Sequence, residues 1–156
     1  MDGWTAAHRA LAEDLAGQVA VRLLDPLEIL VGADDAMRAR VAQQSRTWAA
    51  ALLGEDEMQA ALTAGRLVAA LCGHGDEPFD PPAVWWGTPF GRVVALRIGH
   101  PSAQAVSVAQ AAAMLGISRQ GVHDLANRGR LERDAEGRIA VSSVRARLAA
   151  RARAVG

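Results

Sequence analysis

Apolar residues recur every three or four positions through most of the first seventy residues, the interval that lines them along one face of a helix. The clearest run is residues 4–24, where Leu11, Leu15, Val19 and Leu23 make the stripe. Pro26 is expected to end it, since proline has no N–H to donate and its ring collides with the carbonyl four residues back. A second helix is predicted over residues 35–53, with Met37, Val41, Trp48 and Leu52 on or near one face. Gly54 separates it from a third over residues 55–72, which is apolar on most sides and therefore expected at the centre. Residues 25–32 stay open, because the run LEILV fits a short strand as well as a buried helical turn.

Beyond Cys72 the pattern breaks. Residues 73–82 (GHGDEPFDPP) read as a loop from their Gly, Pro and Asp content. Thr88-Pro89 then starts another helix, with Thr as cap and Pro at its first position, carrying Phe90, Val93, Val94 and Leu96. Trp85 and Trp86 just before it have two readings. They either close the helical core or offer a surface to a ligand or partner, since aromatic side chains are enriched in both settings.

The most specific stretch is residues 108–125, VAQAAAMLGISRQGVHDL. With Gly116 as a turn glycine, Ala112 falls where a first helix needs a small residue under a crossing second helix. Ala111, Leu115, Ile117, Val122 and Leu125 fall at the apolar positions between the two. This is the pattern of a helix-turn-helix. Its ends are marked as well: Ser107 with Gln110 reads as a capping box, and Ser118 can cap the second helix. Gly116 suits the left-handed conformation that closes the first helix, and Gly129 should end the second. Two amphipathic helices in an alanine-rich chain would be the plainer account, but they would not require this whole set.

After the motif, residues 131–133 and 138–141 look like two short strands around the turn Asp134-Ala135-Glu136-Gly137, a hairpin of the kind called a wing. Ser142 is expected to cap a last helix over residues 143–153, with Val144 and Leu148 packing back on the motif. The segments SVAQAAAMLGISRQGVHDLANRGRL and GRIAVSSVRARL together resemble the small winged domains of the excisionase and MerR-like superfamily. That resemblance covers about a third of the chain. It implies a DNA-binding fold, in a group that includes transcription regulators, recombination factors and antitoxin-like proteins.

Charge supports the same half. Residues 1–100 hold 8 Arg against 13 Asp and Glu, whereas residues 101–156 hold 9 Arg against 4. A neutral chain split in this way points its positive part at a polyanion, unless the two halves simply attract each other. All 17 basic residues are Arg and alanine is abundant, which fits a GC-rich bacterial genome and weakens any reading of each Arg as individually chosen. Cys72 is the only cysteine, so no intrachain disulfide framework exists and a cytoplasmic location is expected. The first residues show no basic region followed by an apolar core, so no signal peptide is read, and no run is long and apolar enough for a membrane span.

Other chemistry is sparse. The acidic run Glu55-Asp56-Glu57 is most simply the first turn of a helix, where the dipole favours carboxylates. Cys72 and His74 lack the second ligand pair a zinc site needs, so no metal, cofactor or enzymatic activity is expected. The expected architecture is mainly α, with an acidic helical domain at residues 1–100, a linker at 101–106, and a winged helix-turn-helix with one short β-hairpin at 107–153.

On double-stranded DNA, Ser118, Arg119, Gln120 and His123 are expected to face base edges, because Val122 and Leu125 take the inner side of the helix. Arg128, Arg130, Arg138 and Arg145 are expected to reach phosphates. Asp124 near that surface would repel phosphate unless an Arg pairs with it. One such module has a small footprint, so a homodimer is expected, held by residues 1–100, which alternatively hold a protein partner. A bacterial transcriptional regulator is the leading expectation. A recombination directionality factor and an antitoxin-like module are the alternatives.

Overall fold

A computed structural model of the chain describes residues 3–73 and 76–155. They gather into two compact units that divide between Asp76 and Glu77. His74 and Gly75 of the expected loop lie outside the described residues.

The first unit is helical. Helix α1 (Ala6–Val19) starts at a capping box in which Thr5 Oγ1 accepts the His8 N–H and the His8 ring accepts the Thr5 N–H. Residues Ala20–Leu24 then widen into a π-helical turn, where the Asp25 N–H donates to the Ala20 carbonyl five residues back. Helix α2 (Asp25–Val31) follows without a break, so the chain stays helical through Pro26 instead of ending there. The wider turn just before Pro26 makes room for a ring that a regular α-helix would not accommodate.

The π turn also changes which leucine faces inward. Leu11, Leu15 and Val19 follow one another at intervals of four, and the next buried member is Leu24, at an interval of five. Leu23, the expected member, is 38% exposed against 7% for Leu24. The open segment at residues 25–32 is thus mostly α2, and none of its residues is buried.

Helix α3 (Asp35–Leu52) is capped by Asp34, which accepts the Met37 N–H. Its buried face is Ser45, Ala49 and Leu52, with Val41 and Trp48 beside it. Small residues on that face let α1 approach closely, and the buried Ser45 hydroxyl donates to the Val41 carbonyl at 2.8 Å. Helix α4 (Glu57–Cys72), capped by Asp56, packs on α3. Since α3 packs against both α1 and α4, it takes the central place expected of α4, whose Met58 and Leu62 are exposed. Burial pushes the half-buried Cys72 thiol up from its ordinary value, with nearby Arg22 opposing the shift.

The second unit holds α5 (Ala83–Trp86), α6 (Pro89–Arg97), β1 (Ala105–Val106), α7 (Val108–Leu115), α8 (Arg119–Asn127), β2 (Ile139–Ala140) and α9 (Val141–Val155). Residues 77–100, expected with the N-terminal helices, pack here: α5 lies on α7, and α6 on α7 and α9. The reason is apolar demand. Trp86, Phe90 and Val94 need a wall, and the alanine-rich α7 with Val144 of α9 supplies one. Trp85 meets Phe79, Trp86 and Phe90 edge-on, with ring centroids 5.0–5.7 Å apart. Both tryptophans are buried, at 5% and 1% exposure, so of the two readings the core is the one realised and neither presents a surface to a macromolecular partner.

Polar contacts fasten the same segment. His100 Nδ1 accepts the N–H groups of Ser102 and Ala103, which leaves Nε2 to carry the proton and donate to Asp80 at 3.2 Å. The Gln110 side chain donates to the Pro81 carbonyl at 3.0 Å, and of the expected capping box only the Ser107 half is formed. Ser107 still caps α7 by accepting the Gln110 N–H. Residues 105 and 106, expected in a linker, form a strand antiparallel to β2, pairing Ala105 with Ala140 and Val106 with Ile139.

Thr88 caps α6 as expected, accepting the Gly91 N–H, while its own hydroxyl donates to the Trp85 carbonyl at 2.6 Å. This turn draws Gly91 onto the preceding backbone, where an added Cβ would lie 2.1 Å from the Trp85 carbonyl oxygen. Gly91→Ala is therefore expected to destabilise the second unit by about 1–3 kcal/mol, measured as a lowered unfolding midpoint by circular dichroism.

Candidate nucleic-acid interface

The interface is built on the crossing of α7 and α8. Gly116 ends α7 in the left-handed conformation (φ 67°, ψ 35°), and Arg151 of α9 donates to the Leu115 carbonyl at 2.8 Å. Ser118 caps α8 by accepting the Gly121 N–H at 3.0 Å. Ala111, Ala112, Leu115 and Val122 are buried where the two helices meet, with Ile117 and Leu125 partly so. A Cβ on Gly121 would stand 3.3 Å from Ser118 Oγ and 3.4 Å from Ile117, so the glycine keeps the first turn of α8 uncrowded.

With Val122 turned inward, Ser118, Arg119, Gln120 and His123 are all exposed. Arg119 stands at the first position of α8 and has no partner among the described residues. Gln120 Nε2 donates to Asp124 at 3.0 Å, which leaves the other amide hydrogen and the carbonyl oxygen free. Asp124 thus pairs with an amide and not with an arginine. Arg128 and Arg130 follow the helix, exposed and also without a side-chain partner among the described residues.

Two of the arginines expected at phosphates are otherwise engaged. Arg138 on the wing pairs with Asp134 and Glu136, each at 3.1 Å. Arg145 on α9 donates to the Arg97 carbonyl at 2.8 Å, helping to close α6. Arg133, which no sequence pattern singled out, donates to the His123 ring at 2.9 Å and links α8 to the base of the wing.

The wing itself is compact. Its turn is closed by Asp134 N–H to the Arg138 carbonyl at 2.8 Å and Ala140 N–H to the Glu132 carbonyl at 2.9 Å, with a single bridge between Arg133 and Ile139. Its longer pairing is to β1, from before the motif. Helix α9 begins at Val141, so Ser142 lies in its first turn and is not the cap. Ser143 instead joins wing to helix, accepting the Glu132 N–H and donating to the Ala140 carbonyl.

A family model described as a helix-turn-helix domain matches residues 105–152. The segment is an excisionase-like helix-turn-helix domain. The match begins at β1 and ends in α9, so it takes in the capped helix pair, the wing and the returning strand. The chain accordingly carries a DNA-binding fold over about its last third. No curated protein and no solved structure matches the chain. Among the described residues no three His, Cys, Asp or Glu side chains are grouped as a metal site would need, and no helix is long and apolar enough to cross a membrane.

The wing offers a pH test of its own construction. The Arg138 N–H, with smaller help from the Glu136 N–H and the Arg138 charge, holds the Asp134 carboxyl below the ordinary aspartate value. A carboxyl depressed on folding contributes stability that is present above its unfolded value of about 3.9 and lost as pH falls through the folded value. The Arg138 amide resonance is therefore expected to keep its folded shift until the pH drops below that value. In Asp134→Ala it is expected to lose that shift at every pH, as read by NMR.

Proposed function

We propose that the chain is a sequence-specific DNA-binding transcriptional regulator of a bacterium, acting in the cytoplasm as a homodimer on paired half-sites. The observation that carries this reading is the unpaired Arg119 at the start of α8, beside a Gln120 amide with free donor and acceptor. Arg119 suits the two acceptors of guanine, and Gln120 suits adenine, which needs one donor and one acceptor together. Ser118 and His123 flank these two on the exposed side and complete the reading surface.

Arg128 and Arg130 supply charge to the phosphate backbone in this reading. Arg138 contributes less, since two carboxylates already neutralise it, and Arg145 serves α6. Affinity then comes from the residues after the helix, and sequence choice from its first turn.

Selection of bound sequences from a random DNA pool by the full chain, followed by titration at several salt concentrations, tests the assignment. Arg119→Ala is expected to lose about 1–3 kcal/mol on the selected site, roughly 5- to 100-fold, with little change in binding to unrelated DNA. Arg128→Ala with Arg130→Ala is expected to weaken binding to every sequence and to lower the salt slope by about 2. Equal binding by wild type and Arg119→Ala, together with affinity independent of salt, would sink the reading.

A further inference from the structure

Helices α3 and α4 are joined by only four residues, 53–56, and pack on each other. Each turns a polar stripe toward the same groove. From α3 come Gln44, Thr47 and Trp48, at the spacing that shares one helix face. From α4 come Gln59, Thr63 and Arg66, at intervals of four and three. Together they line a cavity of about 330 Å³, with the buried Leu67 in its wall. Ala51 and Ala70 line it too, and their short side chains leave it open. That volume lies at the lower end of the roughly 300–1,000 Å³ of small-molecule sites.

The polar groups of this lining are unspent. The side chains of Gln44, Thr47, Gln59, Thr63 and Arg66 make no hydrogen bond or ion pair among the described residues. Trp48 is half-buried, lining the cavity while Ala49 and Leu52 beside it fill the core.

These residue types narrow the occupant. An indole offers a flat face on which a planar ring stacks. Each glutamine amide offers a donor and an acceptor together, the complement of a heterocycle edge that carries both. Arg66 asks for an anion, since no acidic side chain lines the cavity. An aliphatic acid would leave the ring and the amides unused. A nucleic-acid chain is disfavoured by the rest of the unit, because residues 1–76 hold 6 Arg against 11 Asp and Glu. A small ligand with one heterocycle and one anionic group uses every part.

We propose that the groove between α3 and α4 is a binding site for a nucleoside monophosphate. The base lies against Trp48 with its edge on the glutamine amides, and the phosphate lies on Arg66. This gives the first unit a ligand of its own, and it does not depend on the DNA-binding reading.

Titration calorimetry of the full chain without DNA tests it, using AMP, GMP, CMP and UMP in turn, then the matching nucleosides and inorganic phosphate. At least one monophosphate is expected to bind with a dissociation constant of about 10–100 µM. Its nucleoside is expected to bind roughly 10-fold more weakly or worse, and phosphate alone more weakly still. Arg66→Ala is expected to bring the monophosphate down to the affinity of the nucleoside and to leave the nucleoside unchanged. Gln44→Ala with Gln59→Ala is expected to weaken both, with helical circular dichroism retained because both side chains are exposed. By NMR, the bound nucleotide is expected to shift the indole N–H resonance that disappears in Trp48→Phe. No binding by any of the four, phosphate binding as tightly as nucleotide, affinity unchanged in Arg66→Ala, or a Trp48 resonance that stays in place overturns the proposal. Loss of DNA binding in Arg119→Ala has no bearing on it.

Discussion

A winged helix-turn-helix with strands of two residues has very little interior, and small domains bury a small share of their surface. Everything in the second unit answers that shortage. The alanines of α7 let α8 cross closely on one side and leave a flat apolar wall on the other. Trp86, Phe90 and Val94 fill that wall from α5 and α6, and Val144 of α9 closes it. The indole N–H groups of Trp85 and Trp86 find no acceptor among the described residues, a cost that the buried ring area has to offset. The matched domain starts at residue 105, but its packing starts at residue 77.

The helix-turn-helix was legible because its constraints are local. A left-handed Gly116, a cap at Ser118 and apolar residues at fixed intervals all lie within eighteen positions, and each has one structural meaning. The wing turn was legible for the same reason. Its pairing to Ala105 and Val106 was not, since nothing near those residues points to a strand thirty-odd positions away. Burial of the tryptophan pair was open for a related reason: an aromatic residue states a demand for apolar surface without saying where that surface lies.

The fate of the arginines divides in the same way. Arg138 has its two acids within four residues, so its pairing could have been read from the sequence. Arg145 bonds a carbonyl forty-eight positions earlier, and no local rule finds such a partner. Of the arginines expected at DNA, Arg119, Arg128 and Arg130, at or just past the two ends of α8, are the ones without a side-chain partner among the described residues. Charge counted over a half of the chain indicates a polyanion. Only the pairing of individual side chains separates the arginines that hold the protein together from those left to face a ligand.

The π turn at Ala20–Leu24 has a consequence of phase. A regular helix would continue Leu11, Leu15 and Val19 into Leu23, Leu27 and Leu30, a single uninterrupted row. The wide turn inserts one position, passes the inward place to Leu24, and rotates the three leucines out of that row. The same side chains thus belong by composition to the interior and by geometry to the outside. An apolar surface of this kind needs no hydrophobic residues beyond those a buried helix already has. It needs one residue too many in one turn.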